Sequence, residues 1–205
     1  MNTNGSAGTT AWAMRNRGLG TLVCAAFAAF WASSSRSEWP TAFVAAGYTI
    51  IALITAALVI VGIALIRRGR QLPRTLDASP ARQRRTGLLF AAIFAAEIVA
   101  MNVAAYVLAD HHLEQYLIPA IAIIVGLHFY PFARLFRAPF FHATASLMTL
   151  AGIGGVAFIA GGLAAAPVVA AVDVICAIAL WGTGFVSWIS TARPDQRQPD
   201  LPLRD

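Results

Sequence analysis

The chain contains no lysine: all 15 of its basic Lys/Arg positions are arginine. Retinal-type Schiff bases and every other lysine–imine chemistry need an ε-amine and are excluded. Charge is scarce too, at 12% of residues, against about 25% in ordinary soluble domains. The two cysteines, Cys24 and Cys176, form no C-x-x-C pair, so neither a zinc site nor a thioredoxin-type couple is encoded. No HExxH, GxSxG or phosphate-binding loop occurs, which leaves hydrolysis and group transfer without support. GIGGVA at 152–157 matches G-x-G-x-x-A by letter only, because it interrupts an apolar run where a dinucleotide motif needs a preceding strand.

What fills the chain instead is hydrocarbon: 59% hydrophobic residues and a mean hydropathy of +0.69. A helix crosses about 30 Å of bilayer with roughly 20 mostly apolar residues. Six stretches meet or approach that requirement, at 18–35, 41–66, 86–109, 114–133, 140–161 and 165–190. Period-two alternation is absent, which disfavours a membrane β-barrel. The pattern predicts an all-α integral membrane bundle of six transmembrane helices, a single domain over residues 1–205. Polar tails at 1–15 and 193–205 flank it.

The net charge of +6 has one address. Residues 67–85, RRGRQLPRTLDASPARQRR, hold seven arginines and one aspartate, which equals the whole excess. A nucleic-acid groove interleaves such charge with aromatics, and this loop has none, so no nucleic-acid partner is predicted. The positive-inside rule places the loop in the cytoplasm. Arg67, Arg68, Arg70, Arg82, Arg84 and Arg85 then meet anionic lipid headgroups. The other loops alternate in agreement. Arg15 and Arg17 fall inside, SSSRSEWP (33–40) and DHHLEQ (110–115) outside, Arg134 and Arg137 inside, and the arginines of the tail inside. Both termini are therefore predicted cytoplasmic. Arg15, Arg17 and the run after them imitate a secretory leader, but no small-x-small cleavage site follows the run, so a retained helix is expected. Small residues are frequent, including Gly152, Gly154, Gly155, Gly161 and Gly162 in the fifth stretch. They suit close helix packing, within one chain or in a homo-oligomer.

Ionisable groups inside a membrane cost from about 2.5 kcal/mol upward at a helix centre and point to function by default. Counted along each span at 1.5 Å per residue, Glu97 lies roughly 16 Å from its inner end and His128 roughly 8 Å from its own. Asp173 lies about 9–12 Å below the outer surface, level with Asn102. These depths predict a polar pathway of Glu97, Asp173, Asn102, His128 and Tyr106, with Asp173 bonding Asn102 as the purely structural alternative. Pro131 cannot donate to the carbonyl of Leu127 and disfavours helix at Tyr130, so the fourth helix is expected to bend or end there. Pro131, Arg134, Arg137 and His142 would then form a cytoplasmic gate or lipid contact. His128 and His142 on adjacent helices raise haem or metal ligation as a minor reading. Adjacent His111 and His112 point apart and suit a solvated turn better than a metal site. No cofactor and no metal is predicted.

The segment GLHFYPFARLFRAPFFHATASLM (126–148) carries a Gly-Leu-His-Phe-x-Pro-x-Ala-x-x-Phe pattern through Gly126, Leu127, His128, Phe129, Pro131, Ala133 and Phe136. In this it resembles small bacterial multi-span membrane proteins, a resemblance confined to the fourth and fifth spans. The resemblance implies the architecture and a bacterial cytoplasmic membrane, and names no reaction. The leading expectation is a small transporter or channel-like protein for protons, ions or a small solute, built on an intramembrane carboxylate rather than an enzyme's active site. A membrane scaffold or assembly partner is the alternative, and an intramembrane haem or redox protein the third. The topology has a direct test. Replacing the arginines of 67–85 with glutamate is expected to invert or scramble the orientation of a C-terminal reporter, and an unchanged orientation would refute the charge argument.

Overall fold

The computed structural model describes residues 11–34, 41–72, 79–136 and 138–192. Arg137, Arg74, Asp77, positions 35–40 of the loop carrying Trp39, and both tails beyond residues 11 and 192 lie outside the described residues. Among the described residues there is no strand. Six helices follow one another: α1 Ala11–Ser34, α2 Thr41–Gln71, α3 Pro80–Asp110, α4 Leu117–Leu135, α5 Phe140–Ala160 and α6 Ala165–Ala192. A 3-10 turn, Glu114–Tyr116, leads into α4.

Five of the six helices are long and apolar enough to cross a membrane: α2, α3, α4 with its 3-10 turn, α5 and α6. The chain is a multi-pass helical membrane protein. α1 has 24 described residues, with Arg15 and Arg17 in its first two turns and an apolar run from Gly18 to Ala32; the stretch expected at 18–35 ends outside the described residues. It is central to the packing. Ala25 and Ala28 are fully buried and Trp31 is buried where α1 meets α2 and α6.

α2 and α3 are each 31 residues long and overrun the predicted 41–66 and 86–109. At 1.5 Å per residue each reaches about 46 Å, well beyond the hydrocarbon thickness. Arginine is a good helix former, so the chain stays helical through Arg67, Arg68 and Arg70 and starts again at Pro80, ahead of Arg82, Arg84 and Arg85. Pro80 suits a first helical position because its missing N–H would go unpaired there anyway. Much of the basic loop is thus two projecting helix ends.

The fourth helix does not end at Pro131. α4 runs through it to Leu135 and closes with the Phe136 N–H on the Phe132 carbonyl at 2.9 Å. The proline forfeits one backbone bond, and buried Phe129, Phe132 and Ala133 around it hold the last turn in place.

The helices pack in the order α2, α1, α6, α5, α4, α3, with α6 also touching α2 and α4. α3 makes its helix interface chiefly with α4, at one edge of the bundle. The α3–α4 turn closes on His112 in the left-handed region (φ 55), and the Leu113 N–H reaches back to the Leu108 carbonyl at 2.8 Å. At the end of α5 Gly162 (φ 91) does the same work. Several of the small residues serve contacts within the chain. A Cβ on Gly152 would lie 2.5 Å from the Pro119 carbonyl oxygen and 2.9 Å from the Ile123 nitrogen, both backbone atoms of α4. One on Gly182 would meet nothing within 4 Å. Gly152→Ala should therefore destabilise the bundle by about 1–3 kcal/mol, whereas Gly182→Ala should be neutral or stabilising by up to about 1 kcal/mol. Thermal unfolding in detergent reads both, and equal effects would contradict the close α4–α5 approach.

Candidate functional site

The site grows from the antiparallel hairpin of α3 and α4. Glu97 lies 13 residues before Asp110 and His128 lies 14 after Glu114, so both stand at one level below the shared α3–α4 turn, about 20 Å down. On α4, Gly126 faces α5: a Cβ there would collide with the Thr149 hydroxyl and backbone nitrogen. Two residues on, at 100° per residue, His128 turns toward α3. The result is a contact of 3.0 Å between His128 Nδ1 and Glu97 Oε1. Glu97 is 7% exposed and is the one fully buried residue of α3.

The contact is close but not aligned. Neither His128 Nδ1 nor Glu97 Oε2 has a hydrogen-bond partner among the described residues. The two side chains are held in close contact without a linear hydrogen bond between them. Aromatic rings replace water beside it. The His128 ring lies 4.9 Å from Phe132, edge to face, and 4.4 Å from Phe129. Phe132 stacks on Phe90 of α3 at 5.2 Å and meets Phe136 at 5.7 Å, and Phe129 stacks on Phe141 of α5 at 5.7 Å. These phenylalanines pack beside His128 and tie α3, α4 and α5 together at the ends away from the α3–α4 turn.

A groove of about 560 Å³ opens beside them, lined by Leu89 and Ile93 of α3, Tyr130, Pro131, Arg134 and Leu135 of α4, and His142 of α5. Ile93 stands one turn from Glu97 and Tyr130 two residues from His128, so the groove stops about one helical turn short of the pair. The Tyr130 hydroxyl is engaged by Ser146 at 2.9 Å, and its ring lies 5.8 Å from His142. Arg134, Pro131 and His142 are exposed at this mouth.

Other predicted partners separate. Asn102 is exposed on α3 and donates to the Ile98 carbonyl of its own helix at 2.7 Å. Tyr106 is 73% exposed. The expected Asp173–Asn102 bond is not formed: Asp173 of α6 is 1% exposed, and neither carboxyl oxygen has a hydrogen-bond partner among the described residues. Its desolvation is left uncompensated. The predicted route through three depths is corrected as well, because Glu97 and His128 share one level. Those depths were counted from separate inner ends, whereas the α3–α4 turn sets a common origin. His128 faces Glu97 while His142 lies beside Tyr130, so the two histidines do not confront each other across a haem-sized cleft. Among the described residues no three His, Cys, Asp or Glu side chains group to hold a metal. α5 and α6 are joined by Thr144 and Thr183, whose hydroxyls meet in the core. Sequence reasoning missed this bond, since neither residue stands out from an apolar run.

Comparison with family models, curated proteins and solved structures finds no match for this chain.

Removing one member of a buried charged pair strands the other, at a typical cost of about 3–5 kcal/mol. Glu97→Ala and His128→Ala should each destabilise by about that much, and the Glu97→Ala/His128→Ala double variant by clearly less than the two losses combined. Unfolding in mixed micelles measures this, and strict additivity would show that the two side chains do not interact.

Proposed function

We propose that this protein is a small transporter or channel-like protein that moves protons, ions or a small solute, with Glu97 and His128 as the proton-holding pair. The observation that carries the proposal is the buried 3.0 Å contact between a carboxylate and an imidazole on neighbouring helices. With one proton between them, an imidazolium faces a carboxylate and their charges cancel. Losing it leaves a lone carboxylate in apolar surroundings; gaining another leaves a lone imidazolium. Either change weakens the attraction across the α3–α4 interface. α3 has little other helix contact, so it is the element that yields. The groove between α3, α4 and α5 lies one turn away and supplies a route on the side of Arg134 and His142.

The same proposal places the chain in a bacterial cytoplasmic membrane, as its likeness to small bacterial multi-span proteins suggests. α1 completes an even set of crossings, with both termini in the cytoplasm. The arginine-bearing ends of α2 and α3 then face anionic headgroups, each arginine contributing about 1 kcal/mol near the surface. A second reading, a membrane assembly partner, is favoured by the exposed outer side of α3 and treats the pair as a fixed lock. Proton flux separates the two. Purified protein in vesicles carrying an interior pH dye should collapse an imposed pH gradient, and Glu97→Gln should return the rate to that of protein-free vesicles. Equal rates for the wild type and Glu97→Gln would overturn the transport reading.

A further inference from the structure

We propose that two copies of this chain associate side by side through the outward face of α3, with Asn102 set against Asn102. Taking Glu97 as the centre of the α4-facing side, Leu88, Ala92, Ala95, Val99, Asn102 and Tyr106 fall diametrically opposite at 100° per residue. All six are exposed, Leu88 and Val99 at 61% and Tyr106 at 73%. Their spacing alternates four and three residues over five turns, the seam by which two helices wind about each other left-handedly. Ala92 and Ala95 leave room for close backbone approach, which drives helix association in lipid.

Asn102 decides what covers this seam. It lies about 12 Å from the outer end of α3, within the apolar run, where a lipid chain has nothing to bond with it. One N–H of its carboxamide is used on the Ile98 carbonyl, leaving a second N–H and the amide oxygen. That donor and acceptor are complementary to themselves. Copies inserted in one orientation have parallel α3 helices, and a two-fold axis along the membrane normal brings each seam residue against its own counterpart. A single asparagine in an apolar seam is a well-attested means of choosing register and partner number. Gly152 and Gly155, the other small-residue candidates, are already spent on contacts with α4 and α6.

The experiment is cysteine cross-linking of the full chain in native membranes, with buried Cys24 and Cys176 retained and the unsubstituted chain as blank. Ala95→Cys, Val99→Cys and Tyr106→Cys should give a dimer band several-fold stronger than Leu89→Cys and Ile98→Cys, which sit on the flanks although 44% and 43% exposed. Adding Asn102→Ala to Val99→Cys should weaken dimerisation by roughly three- to thirty-fold, the range of an interhelical polar contact in lipid. Asn102→Gln should restore part of it. Asn102 bonds only within α3, so the monomer's fold should survive these changes, and an unaltered unfolding temperature checks that. Equal cross-linking at all positions, a flank-only pattern, a band of another mass, or insensitivity to Asn102→Ala would overturn the proposal.

Discussion

The contact between Glu97 and His128 is the interaction on which the α3 side of the molecule depends. In water, burying an apolar face would bring α3 home; in lipid that drive vanishes, because the tails are as apolar as leucine. What remains is shape, aromatic stacking and close contact between polar side chains moved out of water. α3 has the Phe90–Phe132 stack and the Glu97–His128 pair, both on α4, and little else among the helices. One titratable contact therefore holds one edge helix. At the opposite edge, α2 is packed on α1 without such a pair, through close backbone contact at Gly18 and Gly62. The two edges are thus built differently, one on close backbone approach, the other on aromatic stacking and a buried carboxyl–imidazole contact.

This division gives the polar residues their separate meanings. Glu97 points into the bundle and Asn102 away from it on the same helix, so they do not line one pathway. If α3 is shared between two copies, a change of charge at Glu97 is felt at an interface as well as at a groove. Asp173 stands apart, buried on α6 with neither oxygen bonded among the described residues.

Much of the architecture was legible in the amino-acid pattern, because run length and charge scarcity report the bilayer directly. Helix ends were not: hydropathy sees where hydrocarbon stops, and α2 and α3 continue beyond it through arginines that favour helix. The end of α4 lies past Pro131 for a related reason, since a lost backbone bond near a helix end is cheaper than the packing of Phe129 and Phe132 that keeps the turn. Inward faces were the least legible. Residues such as Val99 and Leu88 face outward yet are as apolar as the core, so the amphipathic signal that marks a buried face in soluble proteins is nearly absent. Only the level of Glu97 and His128 could have been read, by counting both from the DHHLE turn.

The most direct measurement is the distance distribution between spin labels on α3 at Val103 and α4 at Leu127, both exposed, with Leu127 and Leu150 of α5 as the reference pair. In the wild type both distributions should be narrow. With Glu97→Ala the α3–α4 distribution should broaden or lengthen while the α4–α5 distance stays fixed. An α3–α4 distribution unchanged by Glu97→Ala would contradict the claim that this pair fastens α3 to the bundle.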